Sequence, residues 1–220
     1  MPAGSPDHSA IPERDGGTIV NDIHSQLNET RVATVVKPHN TAELRAAVMA
    51  AARAGRAISI AGGRHAMGGQ QFGAGTVLVD TRGMDRVLSF DDRAGHVTVE
   101  GGIQWPALLA FLDRAQIRSA RPWGIYQKQT GADRISVAGS LSSNIHGRGL
   151  NLKPIVDQVE AFDLMQGSGA VVRCSRTEHP ELFRLAIGGY GLFGIITRVT
   201  LRLRPRVKVR RVVRLTTAAE

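Results

Sequence analysis

Small residues gather in three places along this sequence, and each gathering lies against an apolar run of strand length. The first spans Gly62 to Gly75, with glycine at 62, 63, 68, 69, 73 and 75. The second reads Ser136-Val137-Ala138-Gly139-Ser140-Leu141-Ser142-Ser143-Asn144-Ile145-His146-Gly147, and the third runs from Gly188 to Gly194. Backbone free of bulky side chains can take positive φ and approach a ligand closely, offering N–H groups to anionic oxygens. One such loop is an ordinary turn. Three in a single domain point to a long, phosphate-bearing ligand that backbone touches at several places. Two common phosphate sites are excluded, because no Gly-x-x-x-x-Gly-Lys-Ser/Thr occurs and no Gly-x-Gly-x-x-Gly opens a helix.

The 220 residues suffice for one substantial domain or two small ones with a true core. Apolar residues (42%) and charged residues (21%) are in globular proportion. Cys174 is the single cysteine, which excludes an internal disulfide framework and any cysteine-built metal site. The histidines outside the loops (His8, His24, His39, His96, His179) lack metal-ligand spacing and read as surface or turn residues, so no metal is expected. No apolar run reaches the ~20 residues of a membrane helix. Met1 to Gly17 is rich in Pro, Gly, Asp and Ser, reads as disordered, and lacks the basic start and apolar centre of a signal peptide. A cytoplasmic protein with no membrane partner is the expectation.

Short strands are expected at Val32–Val36, Ala57–Ala61, Val77–Val79, Val87–Phe90 and His96–Glu100. Thr41 caps an Ala-rich helix over Ala42–Ala54, and Trp105–Ala115 has amphipathic helical spacing. Arg118–Asp133 shows little periodicity and reads as a long ordered loop. Val159–Met165 and Ala170–Cys174 form a hairpin across Gly167-Ser168-Gly169, followed by a short helix at Glu181–Ile187. Strands and helices interspersed with hairpins suit an α+β fold better than a doubly wound parallel sheet.

The formal net charge is +9, but its position matters more than its size. Eight basic residues and no acidic one fall between Arg198 and Arg214; with those eight set aside, 20 basic residues face 19 acidic ones. Val199, Leu201, Leu203, Val207 and Val209 alternate there with Arg202, Arg204, Arg206, Lys208 and Arg210, the period of a half-buried strand. A solvated strand face is the plainer reading. A nucleic-acid or polyanion module using Arg198–Arg214 is the rival, weakened by an aromatic content of only 5%.

The loop Ala61-Gly62-Gly63-Arg64-His65-Ala66-Met67-Gly68-Gly69-Gln70, the Ser136–Gly147 run and Gly191-Leu192-Phe193-Gly194-Ile195-Ile196-Thr197 together resemble the FAD-binding (PCMH-type) domain of the vanillyl-alcohol oxidase / p-cresol methylhydroxylase flavoproteins. The first loop is most similar to that of cytokinin dehydrogenases and of aldonolactone or alditol oxidases. The resemblance runs from Val32 to Pro205 in the family's order. It implies a two-subdomain α+β domain with mixed and antiparallel sheets flanked by helices. It also implies that Gly62, Gly63, Arg64 and Ala66 surround the FAD pyrophosphate with backbone N–H groups and that Gln70 approaches the cofactor. Ser136, Gly139, Ser140, Ser142, His146 and Gly147 would line the diphosphate and flavin side, with Ile195 at the adenine end. His65 corresponds to a histidine often bonded to the flavin; the alternative is that it only packs or donates a hydrogen bond there. Two residues depart from the pattern: Arg64 replaces a glycine, and Ala66 a serine. If that glycine needs φ > 0, Arg64 is strained, which a guanidinium beside the pyrophosphate could offset. Asp133 lies two residues late for the family's substrate base, so no catalytic residue is assigned.

The expected organisation is a disordered segment over 1–28, an FAD-binding domain over 29–206, and a strand over 207–220 leading toward a substrate domain that the sequence lacks. The function implied is FAD-dependent oxidation, a hydride passing from a C–H beside an alcohol, lactone or amine carbon to the flavin, then to oxygen or another acceptor. A partner chain supplying the substrate domain, and an inactive or split flavin module, remain as variants of that reading.

Overall fold

The computed structural model describes residues 16–129 and 131–217. The disorder expected for Met1 to Gly17 falls, through residue 15, outside the described residues.

Two larger sheets and two two-stranded pairs build the fold among the described residues. The smaller of the two sheets holds β3 (Thr34–Val36), β4 (Ile58–Ala61) and β5 (Val77–Asp80), all parallel in the order β3-β5-β4. Helix α1 (Thr41–Arg53) makes the crossover from β3 to β4. Its N-cap is Asn40, whose side chain accepts the Glu43 N–H at 2.9 Å, so the helix starts one residue before the expected cap Thr41 releases it. Central β5 is covered on both faces, as a parallel strand must be: Val77, Leu78 and Val79 are wholly buried. Because β4 and β5 are parallel, the chain between them must return along the sheet, and the first glycine loop leaves the carboxyl end of β4 and runs back to the amino end of β5.

The larger sheet is antiparallel, in the order β10-β9-β11-β7-β6. Its strands are β6 (Val87–Asp91), β7 (His96–Glu100), β9 (Val159–Met165), β10 (Val171–Ser175) and β11 (Ile195–Arg202). Register aligns Val99, Val199, Phe162 and Cys174 in one row across four strands, all fully buried. Helices α2 (Trp105–Ala115), α3 (Val137–Ser142) and α4 (Pro180–Ala186) cover that face with Trp105, Leu108, Leu112, Leu141 and Phe183. Burial pushes the Cys174 thiol up to about 11, with Asp163 and Glu178 adding to the shift, so it is an inert core side chain. A second cluster, Leu44 and Val48 of α1 with Val79, Met84, Met165 and Ile195, joins the two sheets.

Four expectations need correction. Val32–Val36 is two strands: β2 (Thr30–Val32) pairs with β1 (Thr18–Val20), while β3 turns into the parallel sheet. Residues 18–28 are therefore ordered chain, held by that pairing and by Asp22, rather than part of a disordered segment. The Ser136 run opens as helix α3 rather than as loop. The basic alternation is strand only as far as β12 (Arg204–Pro205), which pairs with β8 (Trp123–Gly124). Residues 206–217 form no strand, with Val209 87% and Leu215 99% exposed. Alternation supplies a face, but a strand also needs a neighbour for its N–H and C=O groups, and after the Arg206 N–H, which donates to the Pro122 carbonyl at 2.8 Å, no backbone pairing continues among the described residues. Positions 218–220 are outside the described residues. No helix among the described residues is long and apolar enough to cross a membrane.

Candidate cofactor site

All three small-residue segments open onto one cavity of about 470 Å³. Gly62, Gly63, Arg64, His65, Ala66 and Gln70 line it from the first, Ser136, Gly139 and Ser142 from the second, and Gly191, Gly194 and Ile195 from the third. At the start of the cavity the first segment packs tightly against Arg134 and Ser136, where the second begins. A Cβ on Gly62 would stand 2.0 Å from Ser136 Oγ, and one on Gly63 would stand 2.1 Å from the Arg134 carbonyl oxygen. Each segment also holds a non-glycine residue in the left-handed region: Arg64 (φ 58°), Asn144 (φ 43°) and Tyr190 (φ 50°). Such conformations cost about 1–3 kcal/mol each and gather at ligand sites.

The second segment divides by helical phase. Ser136 caps α3, its Oγ accepting the Gly139 N–H at 3.2 Å, and Gly139 and Ser142 face the cavity. Ser140 points the other way: its Oγ accepts the Trp105 indole N–H at 3.0 Å and donates to the Ser136 carbonyl at 2.9 Å. Ser140 thus braces the wall from behind. His146 and Gly147 also lie outside the cavity lining. The chain turns at Asn144, after which the Gly147 N–H donates to Gln127 Oε1 at 2.9 Å and an exposed His146 Nδ1 lies 2.9 Å from the Gly147 carbonyl.

His65 has a partner that linear sequence could not supply. Its Nδ1 lies 2.7 Å from Nε2 of His24, while its Nε2 is buried without a hydrogen-bond partner among the described residues. His24 is held by a turn in which Asp22 Oδ1 accepts the backbone N–H groups of His24 and Ser25, at 2.9 and 2.6 Å. The Ile23 N–H donates to the Arg64 carbonyl at 3.1 Å, and Asn28 Nδ2 donates to the Met67 carbonyl at 2.6 Å, fastening this turn to the first loop. Burial, then the neighbouring His24, lowers the His65 pKa below the ordinary imidazole value, against an opposing pull from the Arg134 carbonyl. The ring is neutral at pH 7. His24 is thus an exposed turn residue, as its spacing implied, that also borders the cavity.

Arg64 also faces inward. Its Nη2 lies 3.4 Å from Asp80 Oδ2, and its Nε is buried with no partner among the described residues. Asp80 is 1% exposed and already holds Arg82, which donates Nε to Oδ1 at 2.8 Å and Nη2 to Oδ2 at 2.5 Å. Burial alone would raise the Asp80 carboxyl; the Arg82 hydrogen bonds and the two guanidinium charges outweigh it and hold the group below the usual carboxylate range. Asp133 pairs with Lys128 at the surface and lines nothing, although Gln129, Gly131 and Ala132 of the same loop reach the cavity.

These features fit a flavin dinucleotide: a cavity within the usual 300–1,000 Å³ ligand range, backbone walls from three segments, a guanidinium group at the wall for an anion, and a neutral imidazole. The family model described as "FAD binding domain" matches residues 32–175. Cytokinin dehydrogenase 5 of Oryza sativa subsp. japonica is 32% identical over 192 residues, which cover 82% of this chain and 35% of that protein. Cytokinin dehydrogenase 2 of Arabidopsis thaliana is 31% identical over 172 residues, 77% of this chain and 33% of its own length. The chain thus spans about a third of the curated relatives it matches. A carbohydrate oxidase from Microdochium nivale, solved in complex with a substrate analogue, shares the fold with a TM-score of 0.70 at 23% identity, over 80% of this chain and 37% of that one. From the match across residues 32–175 and the cavity those residues help to build, the chain belongs to the FAD-binding domain family.

Proposed function

We propose that this chain is the flavin-holding part of an FAD-dependent oxidoreductase, with FAD lying along the cavity and tethered through His65. The observation that carries the reading is the convergence of three distant backbone segments on one cavity that also holds a neutral imidazole. Gly62, Gly63, Arg64 and Ala66 would hold the diphosphate through backbone N–H groups, with Ser136, Gly139 and Ser142 on the opposite wall. Gln70 would stand near the flavin, and Ile195 would meet the adenine end. Bound FAD supplies an acceptor for a hydride from a substrate C–H beside an alcohol, lactone or amine carbon, with electrons passing on to oxygen or another acceptor.

The residues of this chain bind, orient and keep water out. His24 holds the His65 ring in place and disfavours its protonation, leaving a nitrogen lone pair for bonding. Trp105 and Ser140 fix the second wall from behind. Substrate-contacting residues are assigned to a second domain that closes over the cavity, from the same polypeptide or from a partner chain. Apolar exposure at Met67 (63%), Tyr190 (54%) and Leu192 (85%) near the cavity supports that closure. A cytoplasmic setting belongs to the same proposal and is checked by cell fractionation.

The test is to incubate the purified chain with FAD, denature it and run it on a gel. Flavin fluorescence travelling with the wild-type band, and absent from a His65→Ala band that still binds FAD reversibly, is the expected result. A chain that takes up no FAD overturns the reading.

A further inference from the structure

We infer that the Arg64 side chain, beyond the loop backbone, is the anion receptor of the cavity and makes binding depend on the ligand's diphosphate. This rests on the FAD reading above. Among the described residues that line the cavity, Arg64 carries the one permanent charge, and no carboxylate joins it there. The nearest counter-charge is already committed: both Asp80 oxygens are taken by the two-pronged Arg82 contact, and Arg64 reaches Asp80 only at 3.4 Å. One carboxylate between two guanidinium groups leaves one positive charge over, at a wall where the Arg64 side chain is only 20% exposed.

Two further observations show that the side chain has a task. Its Nε is buried and donates to nothing among the described residues, a donor that structures seldom leave unmatched. Its backbone sits at φ 58°, where glycine would carry no strain. An arginine held there at conformational cost, with a spare charge at the cavity wall and a donor left unmatched behind it, is built to receive an anion. Asp80 positions it, and the looseness of that contact leaves the fork available to phosphate oxygens.

The experiment compares wild type, Arg64→Gly and Arg64→Lys by calorimetric titration with ADP and with adenosine. FAD is titrated in a His65→Ala background, so that binding stays reversible. Arg64→Gly keeps the left-handed turn without strain and is expected to melt no lower than wild type. Its affinities for ADP and FAD should fall roughly 10- to 100-fold, the range for a charge-assisted hydrogen bond, with adenosine unchanged. Arg64→Lys should recover part of the loss, and the salt dependence of FAD binding should be shallower in Arg64→Gly. Equal weakening of ADP and adenosine, or undiminished ADP and FAD binding by Arg64→Gly, overturns the inference. Wild type that binds ADP with this Arg64 dependence but refuses FAD overturns the flavin reading and leaves the anion receptor standing; wild type that binds neither overturns both.

Discussion

The buried bond between Trp105 and Ser140 is the joint by which the large core supports the second wall of the cavity, and a double-mutant cycle measures it. Trp105 is fully buried, and its indole N–H donates to Ser140 Oγ at 3.0 Å. Ser140 passes the constraint to the Ser136 carbonyl, and Ser136 stands against Gly62 of the first loop. Trp105→Phe removes the donor, about 1 kcal/mol, and leaves a gap in a close-packed core worth about 1–2 kcal/mol more. In a domain of this length such a loss lowers Tm by about 5–10 °C. Ser140→Ala instead strands the buried indole N–H, at about 1–3 kcal/mol. The double variant should be less destabilised than the sum of the two by about 1 kcal/mol. Denaturant unfolding followed by circular dichroism gives all four stabilities. Strict additivity would mean that the bond contributes nothing and that the wall does not depend on α2.

Other consequences follow from the same geometry. Asp80→Asn leaves two guanidinium groups without a counter-charge and should cost about 2–3 kcal/mol, less than a wholly buried pair because Arg82 is half exposed. The Asp80 carboxyl is depressed in the fold, so its contribution is present above the ordinary carboxylate range and disappears as pH falls through the folded value. Wild type should thus lose stability below about pH 4, and Asp80→Asn should lose less over that window in melting experiments. His65 is also depressed in the fold, so the unfolded chain takes up its proton first and stability declines as pH drops below about 6.5; Tm measured from pH 8 to 5 should fall less steeply in His65→Gln. Gly62→Ala places a methyl group 2.0 Å from Ser136 Oγ, which forces two walls of the cavity apart. It should lower stability by about 1–3 kcal/mol and reduce the flavin retained after gel filtration with FAD.

Much of this architecture was legible in the sequence wherever one periodicity ran unbroken. Trp105–Ala115 and Val159–Met165 are helix and strand end to end as expected, because apolar spacing, a glycine break and a hairpin turn agree there. The loop residues Gly62 to Ala66 could be placed on the cavity because glycine density is itself a signal, and the condition stated for strain at Arg64, φ > 0, is met at 58°. Ser136–Gly147 was harder. Read as a uniform run, it gave no phase; once its first residues wind into α3, Gly139 and Ser142 share the cavity face and Ser140 turns to Trp105. His24 carried only a local cue, the Asp22 turn, and nothing along the chain could pair it with a ring 41 positions away. The basic segment failed for the opposite reason: its alternation was clear, but whether a strand forms depends on a neighbouring edge, which composition does not report.

The most direct measurement is a crystal structure of the chain loaded with FAD. Electron density for one extended dinucleotide is expected along the cavity, adenine beside Ile195, diphosphate against Gly62–Ala66, and flavin ring at His65. FAD bound elsewhere on the surface, or touching one of the three segments and leaving the other two in solvent, would contradict it.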